Sequence, residues 1–483
     1  MAVKSKLEME PTVVVSSLSS STLPLNKQEQ GPVGCRQVQA IMLFLLFLVA
    51  YGLRYNLSVA IVAMAPSGNS GNSSSSAQTF DWDVQKKGAV LSAFFWGYFL
   101  VQVPAGLLGQ YVSPKLLLTL TTTACSLLTL ITPFGVQYGG WEVLFIIRVL
   151  EGLCQGFYVP LTYILASKWC PLTEQNRFIG FTLNGGTFGV TLAMPLSGFL
   201  ASSTQGWPLI FYTTGVVGLL WVVLWVFQGA DSPATHKRIS QAEKDYIQTS
   251  LQHNSTKTIR TPWLEIFTSK PVWAFIAAHI GCGWLFAIIF TQMPSYISSV
   301  LGFDIKTNGL LSALPYLTMW CLSFPVCWLA DIMSKHRVWT TTTQRKVWAT
   351  ISQTGAALVL VCLGFVERDA VAAMIVLVIT VSLSSCAFSG VYVNPLDLAP
   401  NFAGVLIGIG NGLENISSIL APLSVGWILT DQKSVFQWTM VFLLALVVAG
   451  VNNLIFLIWS SAKLQPWNEP TNNVKRAPIS INT

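Results

Sequence analysis

The sequence predicts an all-α membrane protein of twelve transmembrane helices arranged in two six-helix halves. Three observations carry that expectation. Hydrophobic residues make up 52% of the 483-residue chain and charged residues only 10%, with a mean hydropathy of +0.58. A soluble protein of that size needs a charged surface, and this composition cannot supply one. Apolar stretches of about 20 residues recur along the chain, each enough to cross a hydrocarbon core at 1.5 Å per residue. Lys and Arg, finally, gather in alternate loops, the asymmetry that orients membrane proteins.

Taken in order, residues 1–37 are Ser-, Thr- and Pro-containing with scattered charge, which predicts a disordered cytosolic tail. The first apolar run begins at Val38 and is too long for the core of a cleaved signal peptide, so it reads as a signal anchor. Spans are predicted at 38–64, 88–110, 115–135, 141–167, 177–202 and 207–228, then at 271–299, 309–333, 346–366, 370–394, 402–429 and 435–459. This gives an N-terminal bundle over 38–228, a cytosolic linker over 229–270, a C-terminal bundle over 271–459 and a cytosolic tail over 460–483. With the N-terminus inside, the inner loops collect Lys and Arg over the outer loops by about four to one. The outer loops hold only Lys86, Lys87, Lys306, Arg368 and Lys433. The first outer loop carries Asn72-Ser73-Ser74, an N-glycosylation acceptor in the right compartment. The sequons at Asn56 and Asn415 fall in spans and that at Asn254 in the linker, so none of these is expected to be modified.

The halves resemble each other. Asn184-Gly185 leads, eleven residues on, to Pro195-Leu196-Ser197, and Asn411-Gly412 leads at the same distance to Pro422-Leu423-Ser424. Leu91-Ser92-Ala93 in the second span recurs as Leu311-Ser312-Ala313 in the eighth. Matches in corresponding spans predict a parallel duplication. That is the major-facilitator plan, with a substrate site between the halves near the midplane.

Several function classes are excluded early. The nine cysteines contain no CxxC and lie mostly in apolar runs, where a thiol is a small hydrophobe. No His-Asp-Ser constellation or metal-spaced cluster suggests an enzyme, and no cofactor is expected. The net charge of +7 reflects loop orientation; no basic run with interleaved aromatics points to nucleic acid. The expected partners are a lipid bilayer and a small anion, with the chain itself monomeric.

Ionisable residues inside spans cost about 2.5–3.5 kcal/mol each on insertion scales, so each needs a reason. The short list, away from the span ends, is Arg54, Arg148, Glu151, His279 and Glu414. Arg54, in the first span, is a permanent cation with a planar donor fork suited to carboxylate or phosphate. Arg148, Glu151 and Gln155 fall within about 60° of one another on the fourth span, a polar stripe that cannot face lipid. Protonating Glu151 would release Arg148 and couple a proton to an anion; alternatively the two neutralise each other and clamp helices. Glu414, after Gly408-Ile409-Gly410-Asn411-Gly412, is a second coupling candidate or a structural partner. His279 is a proton carrier or a packing histidine. Of the span aromatics Trp96, Tyr98, Tyr158, Tyr163, Trp284, Tyr316 and Tyr392, Tyr98 and Tyr163 are taken as substrate-lining.

These residues carry a resemblance. Arg54-Tyr55-Asn56-Leu57-Ser58-Val59-Ala60, Phe95-Trp96-Gly97-Tyr98-Phe99, Arg148-Val149-Leu150-Glu151-Gly152, Asn308 through Pro315 and Asn394-Pro395-Leu396-Asp397-Leu398-Ala399-Pro400 resemble the family of sialin, type I sodium–phosphate cotransporters and vesicular glutamate transporters. Ile239-Ser240 through Glu243-Lys244-Asp245-Tyr246-Ile247 is similar too, and the likeness runs to about Trp467. Its texture is nearest to invertebrate inorganic phosphate cotransporters and sialin-like members. The resemblance implies transport of phosphate or small organic anions, with Arg54 and Arg148 at the family's first- and fourth-span arginines. This chain departs from the pattern at Gln155, where sialin-like members carry a second carboxylate, and at Tyr163, where they carry histidine. Cys282 replaces the seventh-span arginine of glutamate transporters. Gln110 replaces the aspartate of the loop between spans two and three, while Asp331 keeps it in the second half. The expected function is symport of a small anion with sodium or protons at the plasma membrane or an endolysosomal membrane. An anion channel, or a non-transporting receptor on the same scaffold, is the alternative.

Overall fold

The structure is a computed structural model and describes residues 34–64, 78–82, 84–201, 203–251, 260–301, 305–366, 369–431 and 433–469. The tail to residue 33, the acceptor Asn72 and the residues from 470 onward lie outside the described residues. Regular structure among the described residues is all helical.

The first span is Cys35–Met64, the second Val84–Tyr111, the fifth Gln175–Ala201 and the sixth Pro208–Gln228. The seventh is Lys270–Ser299, the eighth Ile305–Lys335, the eleventh Ala403–Ile428 and the twelfth Val435–Trp459. Spans three and four form one helical tract, 114–169, folded back on itself at Gly140. Gly140 has φ 61° and ψ −148°, a backbone that side-chain-bearing residues rarely adopt. Thr129 touches Glu151 and Cys125 touches Gln155, contacts that only an antiparallel pair can make. Length and hydropathy alone single out ten crossing helices. The folded tract supplies one more, and the fifth span, too polar to stand out, completes twelve. Asn176, Asn184 and Thr182 of that fifth span are buried against other helices, which is why it tolerates its polarity.

Three spans are broken. The fourth is interrupted at Gly156 and Phe157, and the tenth, Ala370–Leu398, around Ser385 and again before Asn394. The ninth, Thr341–Phe365, carries a π-helical turn at Ile351–Gly355. Large apolar side chains such as Leu220, Phe227, Trp427, Val447 and Leu454 face outward and are exposed. A lipid environment makes that surface stable where water would not.

The duplication is visible in the packing. Asn184 of the fifth span donates to the Trp320 carbonyl at 3.2 Å and to Ser323 Oγ, both on the eighth. Its counterpart Asn411, on the eleventh, donates to the Tyr98 hydroxyl on the second at 2.9 Å. Each half thus reaches into the other through the same asparagine. The cross-half hydrogen bonds among the described residues run from this depth down to the face carrying the linker. There Asp331 accepts from Asn176 N, Asn176 Nδ2, Arg177 N and Arg177 Nε at 2.7–3.2 Å.

The C-terminal tail begins as a packed segment. Residues 460–469 fold back: Gln465 N donates to the Leu398 carbonyl at 2.9 Å, and Trp467 packs on Phe402 with centroids 6.0 Å apart. An apolar indole and the Asn468 amide, which binds Asn401, hold the segment there.

Candidate functional site

Arg54 stands near the middle of the bundle on the first span. Its guanidinium carbon lies 4.8 Å from the Tyr51 ring centroid, 4.7 Å from Phe94 and 4.5 Å from Tyr98. Three rings attract a cation by about 0.5–2 kcal/mol each. They fix its position without cancelling its charge, and no carboxylate lies within 4 Å of it among the described residues. Its buried Nε has no hydrogen-bond partner among the described residues. Two glycines put the rings in place. A Cβ on Gly152 would collide with the Phe94 carbonyl, and one on Gly97 with the Val149 carbonyl. Spans two and four therefore touch backbone to backbone, which brings Phe94 and Tyr98 against the arginines.

Arg148 lies directly behind Arg54. It donates to the Leu53 carbonyl at 3.3 Å, the Arg54 carbonyl at 2.7 Å and Glu151 Oε2 at 2.7 Å. The other oxygen of Glu151 accepts from Thr129 at 2.7 Å. Both side chains are almost wholly enclosed, at 4% and 1% exposure, so their charges meet inside the protein. The stripe predicted on the fourth span exists, and it ties spans one, three and four together. Gln155, its third member, touches Cys125 Sγ at 3.6 Å and leaves its carbonyl oxygen without a partner.

Across the interface, His279 Nδ1 and Glu414 Oε2 are 2.8 Å apart. The histidine ring meets Phe275 and Tyr392 edge-on, with centroids 4.7 and 4.9 Å away, and its Nε2 has no partner. Glu414 is 16% exposed and within electrostatic reach of Tyr51, one of the rings around Arg54. The two sequence-selected groups of the C-terminal half are thus brought together. Tyr98 and Tyr163 take different places. The ring of Tyr98 supports Arg54, while Tyr163 is fully buried on the linker side and donates its hydroxyl to the Tyr392 carbonyl at 2.5 Å.

One cluster escaped the sequence reading. Arg345 donates to both oxygens of Asp397, at 2.7 and 3.2 Å, and also to Asn176 Oδ1 and the Ser389 carbonyl. With Asp331 and Arg177 it joins the two halves on the linker side. By position alone Arg345 reads as an inner-loop charge, and its partner Asp397 lies 52 residues away in an Asn-Pro-Leu-Asp segment.

A family model described as Major Facilitator Superfamily matches residues 43–422. The chain is 32% identical to sialin of Homo sapiens over 461 residues, covering 91% of this chain and 92% of that one. The chain belongs to the sialin and vesicular glutamate transporter family, within the major facilitator superfamily. It is 34% identical to vesicular glutamate transporter 3 of Danio rerio over 445 residues, 90% of this chain and 75% of that one. It is equally identical, over 459 residues, to a Drosophila ananassae protein named "Putative inorganic phosphate cotransporter", covering 91% of this chain and 95% of that one. Among solved structures, the major facilitator transporter FucP in its outward conformation superposes with a TM-score of 0.60 at 12% identity, covering 86% of this chain and 99% of that one. That likeness speaks for the twelve-helix fold alone. This family member is therefore a multi-pass membrane transporter rather than an enzyme, of an anion-transporting family.

Proposed function

We propose that the protein is a secondary active symporter carrying a small anion, phosphate or an organic carboxylate, with protons or sodium by alternating access. The observation that supports this best is Arg54: a cation held by three rings, left unneutralised, at the depth where the two halves face each other. A planar guanidinium with no carboxylate within 4 Å among the described residues is a ready receptor for one from outside.

In this reading Arg148 and Glu151 play a supporting part. Arg148 holds the carbonyls of Leu53 and Arg54, so it sets the turn of the first span that presents Arg54. The His279–Glu414 pair of the C-terminal half, with Glu414 partly open, is where a coupling cation acts. Anion at Arg54 and cation at Glu414 together leave the interface neutral, and a neutral interface closes more readily than a charged one. The linker-side contacts of Asp331 and Arg345 hold one end shut while Arg54 is reached from the other. The loop charge supports a linker face and both termini in the cytosol, and with them a glycosylated Asn72 on the opposite side. The protein works as a monomer in the plasma membrane or an endolysosomal membrane.

The test is a panel of labelled anions, with phosphate, sialate, glutamate and urate among them, taken up by proteoliposomes under imposed proton, sodium and voltage gradients. Accumulation of one anion above its equilibrium level under one cation gradient is expected. Flux that never exceeds equilibrium under any gradient contradicts symport and favours a channel.

A further inference from the structure

We propose that Ser240 is a phosphorylation site for an arginine-directed protein kinase, and that its phosphate releases the linker helix from the first span. Ser240 is exposed and caps the linker helix Gln241–Leu251. Lys237 and Arg238, three and two positions before it, are exposed as well. Kinases of this class select a serine by pairing acidic groups of their cleft with basic residues just upstream. Residues 236–240 form neither helix nor strand. They can be drawn into an extended cleft at the cost of a few weak contacts: Glu243 N to Ser240 Oγ at 3.2 Å, Lys244 N to the Ser240 carbonyl at 3.0 Å, Arg238 N to His236 Nδ1 at 3.2 Å and the Cys35 thiol to the Arg238 carbonyl at 3.6 Å.

What the phosphate would do follows from Glu243. Ser240-Gln241-Ala242-Glu243 has the spacing of a capping box, in which the glutamate normally turns back onto the serine's own amide. Here its carboxylate instead caps a different helix: it accepts from Cys35 N at 2.9 Å and Arg36 N at 3.0 Å, the first residues of the first span. Arg36 completes the clasp, lying 4.9 Å over the Tyr246 ring and pairing with Glu174 at 3.2 Å. A phosphate on Ser240 sets about −1.5 to −2 charges one helical turn from the buried Glu243 carboxylate. Like-charge repulsion pushes Glu243 off the first span, and Arg36 gains a stronger anion than Glu174 to turn toward. The bond chemistry is ordinary phosphoryl transfer from ATP held by the kinase. Ser240 Oγ bonds to the γ-phosphorus, the bridging oxygen–γ-phosphorus bond breaks, ADP leaves, and the hydroxyl proton passes to a kinase carboxylate.

The proposal rests on the linker face being cytosolic, where ATP and kinases are found, and the experiment reads that separately. Full-length protein in nanodiscs, where both faces are reachable, is incubated with the catalytic subunit of an arginine-directed kinase and γ-labelled ATP, and the label is mapped by mass spectrometry. One dominant label at Ser240 is expected. Ser240→Ala should abolish it, and Arg238→Ala should slow it at least tenfold. Thr340 is the rival acceptor, exposed with Arg337 three positions before it, and Thr340→Ala should leave the labelling rate within twofold. Deuterium exchange over residues 35–38 should rise at least fivefold on phosphorylation, while unphosphorylated Ser240→Ala stays protected. Label confined to Thr340, or a folded chain that takes no label, overturns the site. Label at Ser240 with unchanged exchange overturns the release. In cells, a linker epitope stained only after permeabilisation supports the cytosolic placement. Staining on intact cells overturns that placement and the role in cells, leaving the nanodisc result to judge the site.

Discussion

Asp331→Asn should open the linker side. In the structure Asp331 is 3% exposed and accepts four hydrogen bonds from the start of the fifth span, two from backbone amides and two from the side chains of Asn176 and Arg177. A hydrogen bond to a buried charged group contributes about 1.5–3 kcal/mol. The Arg177 contact counts for less, since that side chain is 46% exposed and water competes for it. Asparagine keeps the shape but offers one acceptor oxygen and turns a donor toward donors, so a net loss of about 2 kcal/mol is reasonable. Coupling free energies of that size correspond to roughly a 30-fold change in the ratio of closed to open linker side. The assay is a pair of spin labels at positions 172 and 338, both exposed and on opposite halves, in a background lacking the exposed Cys321 and Cys362. The wild-type chain should give mainly the short distance, and Asp331→Asn a large population at a longer one. Identical distance distributions in the two proteins would refute the assignment of this cluster as the linker-side closure.

Further expectations follow from the same geometry. Glu414→Gln and His279→Asn should each abolish accumulation of anion under a cation gradient while leaving counterflow of pre-loaded anion within about threefold, a pairing read in proteoliposomes. Glu151→Gln should act on stability instead. It leaves Arg148 buried without its counter-charge, a change that costs about 3–5 kcal/mol, and a thermal melt of the purified protein should fall well below those of the Glu414 and His279 variants. Gly152→Ala should separate spans two and four, because the new methyl meets the Phe94 carbonyl, and should lower both the yield of folded protein and its uptake.

Much of this was legible in the sequence because lipid makes the rules strict. An apolar run has few alternatives to a span, and a charge within one must find a partner or a purpose, so Arg54, Arg148, Glu151, His279 and Glu414 announced themselves. The fifth span reads as one more apolar stretch, and the match of Asn184 to Asn411 supports it, although a stricter hydropathy threshold passes over it. Pairing across the chain was less legible. That Glu414 meets His279, 135 residues away, depends on how the seventh and eleventh spans pack, and nothing local to either residue says so. The place of Tyr163 was obscured by the break in the tenth span, which exposes the Tyr392 carbonyl to it. Arg345 looked like an orienting loop charge because a sequence cannot tell a cation at a helix end from one folded inward onto Asp397.

The central claim is that Arg54 receives the transported anion, and equilibrium binding to purified protein tests it most directly. With the anion identified by the uptake panel, saturation binding should be at least 30-fold weaker in Arg54→Lys, which keeps the charge but loses the planar fork, and undetectable in Arg54→Ala, with both variants melting near the wild-type temperature. Wild-type affinity in either folded variant would place the anion elsewhere and contradict the account.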